Sequence, residues 1–231
     1  SNKQCPNVLY LLMAFIKETT TLIRKEFLME WRSKYALNGI LIYVFATVFI
    51  CYLSFKKIDP ITWNALFWII LLFTSINAIA KSFMQENRSR YLYYYTIVNP
   101  AALILSKIIY NLILMSLIAF ICLFFYTVVF NNPIQDFSYY LLAVALGGLS
   151  FSSMFTMVSA IASKANNNST LMAILSFPVI VPLLMLLIKL AKNAMDGIDR
   201  ASSANEIGVL LLINIIVFAV SLLLFPYIWR D

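Results

Sequence analysis

The sequence predicts an all-α membrane protein, with six transmembrane helices preceded by an N-terminal amphipathic interfacial helix. Three observations lead there. Six stretches, at residues 37–55, 61–80, 108–130, 137–163, 165–188 and 207–229, hold no Asp, Glu, Lys or Arg, and about 20 apolar residues are enough for a helix to cross the hydrocarbon core. Composition agrees, at 62% hydrophobic and 12% charged residues, against about 25% charged in an ordinary globular domain. The cations, finally, are distributed unevenly between the two sides. With the N-terminus inside, twelve of the 17 Lys and Arg fall on the inner side and only Lys56, Lys57, Lys189, Lys192 and Arg200 on the outer. The positive-inside rule therefore places both termini in the cytoplasm. The net charge of +7 follows from this topology and is not gathered into the basic face that nucleic acid would need.

Residues 1–36 read as a separate cytoplasmic element, and residues 37–231 as the transmembrane domain. The apolar run at 8–16 is too short to span and lacks a small-residue cleavage site before Lys17, which argues against a signal peptide. Leu12, Ile16, Ile23, Phe27 and Trp31 recur at spacings of four and seven while Lys17, Arg24, Lys25 and Arg32 fall elsewhere. That pattern predicts a helix lying on the inner membrane surface.

The third span starts near Ala101, since Pro100 suits a first helical turn. Lys107 then lies about two turns inside and is expected to snorkel back to the inner interface. The fourth span carries Ala143, Gly147, Gly148, Ser150, Ser152, Ser153 and Ser159 at small-xxx-small spacing, which predicts close helix contact either within the subunit or between two subunits. The fifth contains Pro178 and Pro182, each lacking a backbone donor, so this helix is expected to be kinked or partly broken and suited to gating. Beyond it, Ala191, Ala194, Met195 and Ile198 share one face of residues 189–206, predicting a short amphipathic helix at the outer surface. Asp196 and Asp199 fall short of the six or more oxygens of a calcium loop and read as solvated charge.

The chemistry these residues exclude is equally informative. Cys5, Cys51 and Cys122 are widely spaced and form no C-x-x-C, histidine is absent, and none of the five glycines precedes Lys-Ser or Lys-Thr. A metal site, a histidine base, a proximal haem ligand and a phosphate-cradling loop are therefore all missing from the sequence. The span centres offer Asn, Ser, Thr and Tyr rather than the ionisable groups of a proton-coupled transporter. An intramembrane enzyme is disfavoured on the same grounds.

One inner loop stands out. Residues 81–99, KSFMQENRSRYLYYYTIVN, mix charges with four tyrosines. A short surface helix here could offer Phe83 and Met84 to a groove on a partner, with Lys81, Glu86, Arg88 and Arg90 setting register. A topology-fixing loop with an interfacial tyrosine belt accounts for the same residues.

The order of an inner amphipathic helix, six spans, a charged loop after span two and a Pro-interrupted fifth span resembles the type-2 ATP-binding-cassette (ABC-2) permeases. More closely, KSFMQENRSRYLYYYTIVNP followed by Ser106-Lys107, together with ILSFPVIVPLLM, is similar to the haem exporter protein B (CcmB) family of cytochrome c maturation, from about Glu26 to the end. The resemblance implies an ABC-2 permease-like fold in the bacterial inner membrane, paired as a homodimer with a cytoplasmic ABC ATPase and with a haem-handling membrane protein. It implies no cofactor on this chain, with ATP on the ATPase and haem on partner proteins. The loop around Lys81, Phe83, Met84, Glu86, Arg88 and Arg90 would be the ATPase-coupling site, and Pro178 and Pro182 the gating element. A generic exporter of lipid, polysaccharide or drug is the alternative within the same class.

Overall fold

A computed structural model describes residues 8–33, 35–55, 57–84, 98–162 and 168–230, with side chains for 12–32, 37–55, 57–79, 98–162 and 174–227. The elements are α1 (Val8–Ser33), α2 (Tyr35–Ser54), α3 (Pro60–Met84), α4 (Pro100–Phe130), α5 (Phe137–Ala162), α6 (Asn168–Met195), a 3₁₀ turn (Arg200–Ser203) and α7 (Ala204–Arg230). Helices α2 to α7 each contain a segment long and apolar enough to cross a bilayer. Among the described residues there is no strand, as expected where backbone groups must be satisfied without water.

Helix boundaries follow local chemistry. Asn99 caps α4 by accepting from the Ala101 amide (3.0 Å) ahead of Pro100, the predicted start. Asp59 does the same for α3, its carboxylate accepting from the Thr62 amide (3.1 Å) and hydroxyl (2.6 Å); those bonds, the hydroxyl first, hold its carboxyl below the usual range. Helix α6 ends where Gly197 turns into the left-handed region (φ +66°), a conformation that costs glycine little.

Helix α5 is the hub of the bundle and packs against α3, α4, α6 and α7. Its span is 67% buried, whereas that of α2, on the outside, is 17% buried. The small residues make this possible. A Cβ on Gly147 would lie 2.5 Å from the Trp68 ring of α3, and Gly148 faces the Ser116 backbone of α4. The small-residue spacing thus serves contacts inside one subunit.

Two sequence expectations need correction here. Residues 189–206 form no separate amphipathic helix. Instead α6 continues to Met195, burying Ala191, Ala194 and Met195 under the bundle end while Ile198 stays exposed. Nor does α6 break, because the helix runs unbroken through both Pro178 and Pro182, whose rings sit on its exposed side.

Candidate functional site

The feature that most constrains function is the seam between α1 and α4. The two helices run side by side in a constant register: Glu18 accepts from the Asn99 amide at 2.7 Å, Glu26 meets Lys107 Nζ at 3.4 Å, and the Phe27 and Tyr110 rings meet edge to face with centroids 5.2 Å apart. Leu22 fills the gap between the polar contacts, packing with Ala102, Leu103, Ile104 and Ile108. Helix α4 has 31 residues, about 46 Å at 1.5 Å per residue, against a hydrocarbon core of about 30 Å. It is therefore longer than the core is thick, and α1 is fixed against its first turns.

This arrangement overturns the snorkelling expected of Lys107. Its side chain is 0% exposed and Glu26 only 7% exposed, so α1 covers the ammonium and supplies its counter-charge. Desolvation makes such a pair costly to form and costlier to break on one side. It also assigns α1 three faces. Phe15, Thr19, Leu22 and Glu26 pack toward the bundle; Leu12, Ile16, Phe27 and Trp31 stay exposed; Lys17, Arg24 and Arg32 occupy the remaining arc. Much of the predicted apolar stripe stays exposed, at Leu12, Ile16 and Trp31, whereas Phe27 also meets the Tyr110 ring of α4. What the stripe concealed was the third face, signalled only by Glu18 and Glu26 standing two turns apart on either side of Leu22.

Beyond this seam a hydrogen-bonded ladder joins α4, α5 and α7. Asn111 Nδ2 donates to Thr156 Oγ1 (2.8 Å), whose hydroxyl donates to the Ser152 carbonyl (2.6 Å), while the Ser152 hydroxyl reaches the Ile108 carbonyl (3.3 Å). On the other side of α5, Asn214 Nδ2 donates to Ser150 Oγ (2.7 Å) and to the Leu210 carbonyl (2.8 Å). In a membrane such bonds average about 0.6 kcal/mol and rarely exceed about 2, so the ladder fixes helix register more than it supplies stability.

The end opposite α1 is closed by aromatic packing. Trp63, Phe67, Tyr126 and Tyr140 are buried against one another, with ring centroids 4.8–6.1 Å apart. Asn64 bonds across this layer, donating to the Ile188 carbonyl (3.0 Å) and accepting from Tyr140 (3.3 Å). Outside it, Arg200 forks onto Asp136 with two bonds of 2.9 Å and lies over the Tyr139 ring, and Lys189 pairs with Glu206 at 2.7 Å. The Tyr139 amide first, and then Arg200, hold the Asp136 carboxyl below its usual range.

Lys81, Phe83 and Met84 form the last turn of α3 as backbone, and their side chains, like Glu86, Arg88 and Arg90, lie outside the described residues. Asp196 is exposed, and Asp199 caps the 3₁₀ turn by accepting from Ala201. Among the described residues no three His, Cys, Asp or Glu side chains gather as metal ligands would.

Six apolar helices around a hydrogen-bonded hub, with a charged helix fixed beside the longest of them, define a multi-pass α-helical membrane protein. The family model described as CcmB protein matches residues 17–228, from within α1 to the last turns of α7, and the chain belongs to that family. No curated protein and no solved structure matches it.

Proposed function

We propose that this chain is the ABC transporter permease subunit of cytochrome c maturation, coupling ATP hydrolysis on a separate subunit to haem export or to release of a haem-loaded chaperone. The family match over residues 17–228 carries this reading. Two features of the sequence support it: the chain has no phosphate-binding loop and no histidine, so an ATPase and an iron ligand would both come from partners. Its place would be the bacterial inner membrane, with both termini and α1 on the cytoplasmic side, and two copies would complete the permease.

The mechanical reading follows from connectivity. Lys81, Phe83 and Met84 stand in the last turn of α3, and the chain beyond them carries Glu86, Arg88 and Arg90 before it reaches Asn99, the residue whose amide Glu18 of α1 holds. A push from the ATPase on this loop would be delivered to the start of α4 and to α1 together, because Glu26 and Lys107 tie the two. Helix α6, with Pro178 and Pro182, would answer by changing tilt.

Deletion of the gene is expected to abolish covalent haem attachment to c-type cytochromes, read on haem-stained gels, and complementation to restore it. Unchanged cytochromes would reject the reading in favour of a generic exporter. Charge reversal at Glu86, Arg88 or Arg90, or Phe83→Ala, should weaken co-purification of the ATPase; intact co-purification would remove the loop as its docking site.

A further inference from the structure

At the far end of the molecule α2 and α4 enclose a cleft of about 280 Å³ lined by Tyr52, Phe55, Lys57, Phe130 and Asn131. The two helices run parallel, as successive ring contacts show: Phe45 meets Phe125 at 4.6 Å and, two turns on, Tyr52 meets Phe130 at 6.1 Å. Both helices therefore end at the cleft, α2 at Ser54 and α4 at Phe130. A helix C-terminus leaves its last carbonyls without intrahelical partners and carries partial negative charge. Asn131, at φ +62°, ends α4 and lines the cleft.

The charge pattern is mixed in a particular order. Carbonyl ends and the negative faces of aromatic rings suit a cation, while exposed Lys57 at the rim suits an anion. The neighbouring Asp59 carboxylate is already engaged by Thr62. A simple anion would meet helix ends of the wrong polarity, and a simple cation would meet Lys57. Below the cleft, Phe49 and Leu53 of α2 and Phe124 and Val128 of α4 are exposed along the spanning surface, where acyl chains would lie. The volume falls below the roughly 300–1,000 Å³ of pockets that enclose a drug-sized molecule, which fits a headgroup.

We infer that this cleft binds a phosphatidylethanolamine headgroup, its ammonium donating to the helix-end carbonyls beside the Tyr52 and Phe130 rings and its phosphate meeting Lys57. A primary ammonium supplies charge-assisted hydrogen bonds, whereas choline has no N–H and the hydroxyls of a glycerol headgroup are neutral donors. The inference stands whether or not the chain serves haem.

The test is native mass spectrometry of the full-length protein from detergent supplemented with equal phosphatidylethanolamine, phosphatidylglycerol and phosphatidylcholine. Phosphatidylethanolamine should be retained over either competitor by about tenfold, a margin of the size of one charge-assisted hydrogen bond, since choline shares the ring contact and both competitors share the phosphate. Lys57→Glu, at an exposed position, and Tyr52→Leu should each abolish that preference while leaving the melting temperature in pure detergent unchanged. Equal retention of the three lipids, a preference for phosphatidylglycerol, or a phosphatidylethanolamine preference that survives both substitutions would overturn the site.

Discussion

The two ends of this molecule use ion pairs in opposite ways. Beside α1, Glu26 is shared by Lys107 at 3.4 Å and by its neighbour Lys25 at 3.3 Å, and the Lys107 pair, though longer than ideal, is almost wholly shielded from solvent. At the far end Lys189 meets Glu206 at 2.7 Å and Arg200 meets Asp136 at 2.8 Å, with both cations more than half exposed. Bond length alone would rank the far pairs first. Surroundings reverse the order, since water and salt screen exposed pairs until little remains, while a shielded charge is costly to leave without compensation. The α1 end is thus held by an interaction that tolerates no half measures, and the far end by aromatic packing with an ionic fringe.

The largest effect should come from breaking the shielded pair on one side. Lys107→Met takes the shielded ammonium away from Glu26, which keeps the partly exposed Lys25 at 3.3 Å, and should lower stability by about 3 kcal/mol, the low end for breaking a buried pair on one side, measured by thermal unfolding in detergent. Adding Glu26→Gln should restore most of that loss. If the single variant melts like the parent, Glu26 is solvated in the membrane and the contrast between the ends collapses.

A second variant probes the hub that both ends share. Gly147→Leu drives a side chain into the Trp68 ring and should cost at least about 1–3 kcal/mol, partly recovered by Trp68→Leu. Cross-linked oligomer content should stay constant, because this contact lies within the subunit. Smaller still is the ladder: Asn214→Leu removes the bonds to Ser150 and Leu210 and should cost about 0.6–2 kcal/mol in the same melt.

The smallest expected effect is at the fringe. The depressed Asp136 carboxyl contributes stability above the ordinary carboxylate range and loses it as pH falls through the lowered value. Asp136→Asn should therefore lower the melting temperature slightly at pH 7, where that contribution is present but screened, and flatten its decline below about pH 4. A marked loss at pH 7 would mean that the Arg200 fork is structural.

Much of this was legible in the sequence because membrane spans announce themselves by missing charge. Pro100 likewise marked the start of α4, whereas the Asn, Ser and Thr at span centres told only that ionisable groups were missing there, not that they join three helices. Less was legible where the decision depends on what arrives from far along the chain. Nothing near Lys107 reveals that Glu26, 81 residues earlier, comes to cover it. The small residues of α5 could not by themselves say which partner they admit; Trp68 and Ser116 decide it. The apolar face at 189–206 predicted a separate surface helix, but Gly197 cuts the pattern, so its first part extends α6 and buries Ala191, Ala194 and Met195 while the rest turns through 3₁₀ into α7. Of the candidate site, Pro178 and Pro182 are seen within α6, whereas Glu86, Arg88 and Arg90 are not among the described residues.

The central claim is that this chain moves with an ATPase it does not contain. Its most direct test is ATP turnover measured twice, on the isolated chain in detergent and on the intact assembly captured from native membranes through a tag on this chain. The account predicts no turnover from the chain alone and robust turnover from the assembly, with an ATP-binding-cassette subunit identified by mass. Hydrolysis by the isolated chain, or a captured assembly without such a subunit, would contradict it.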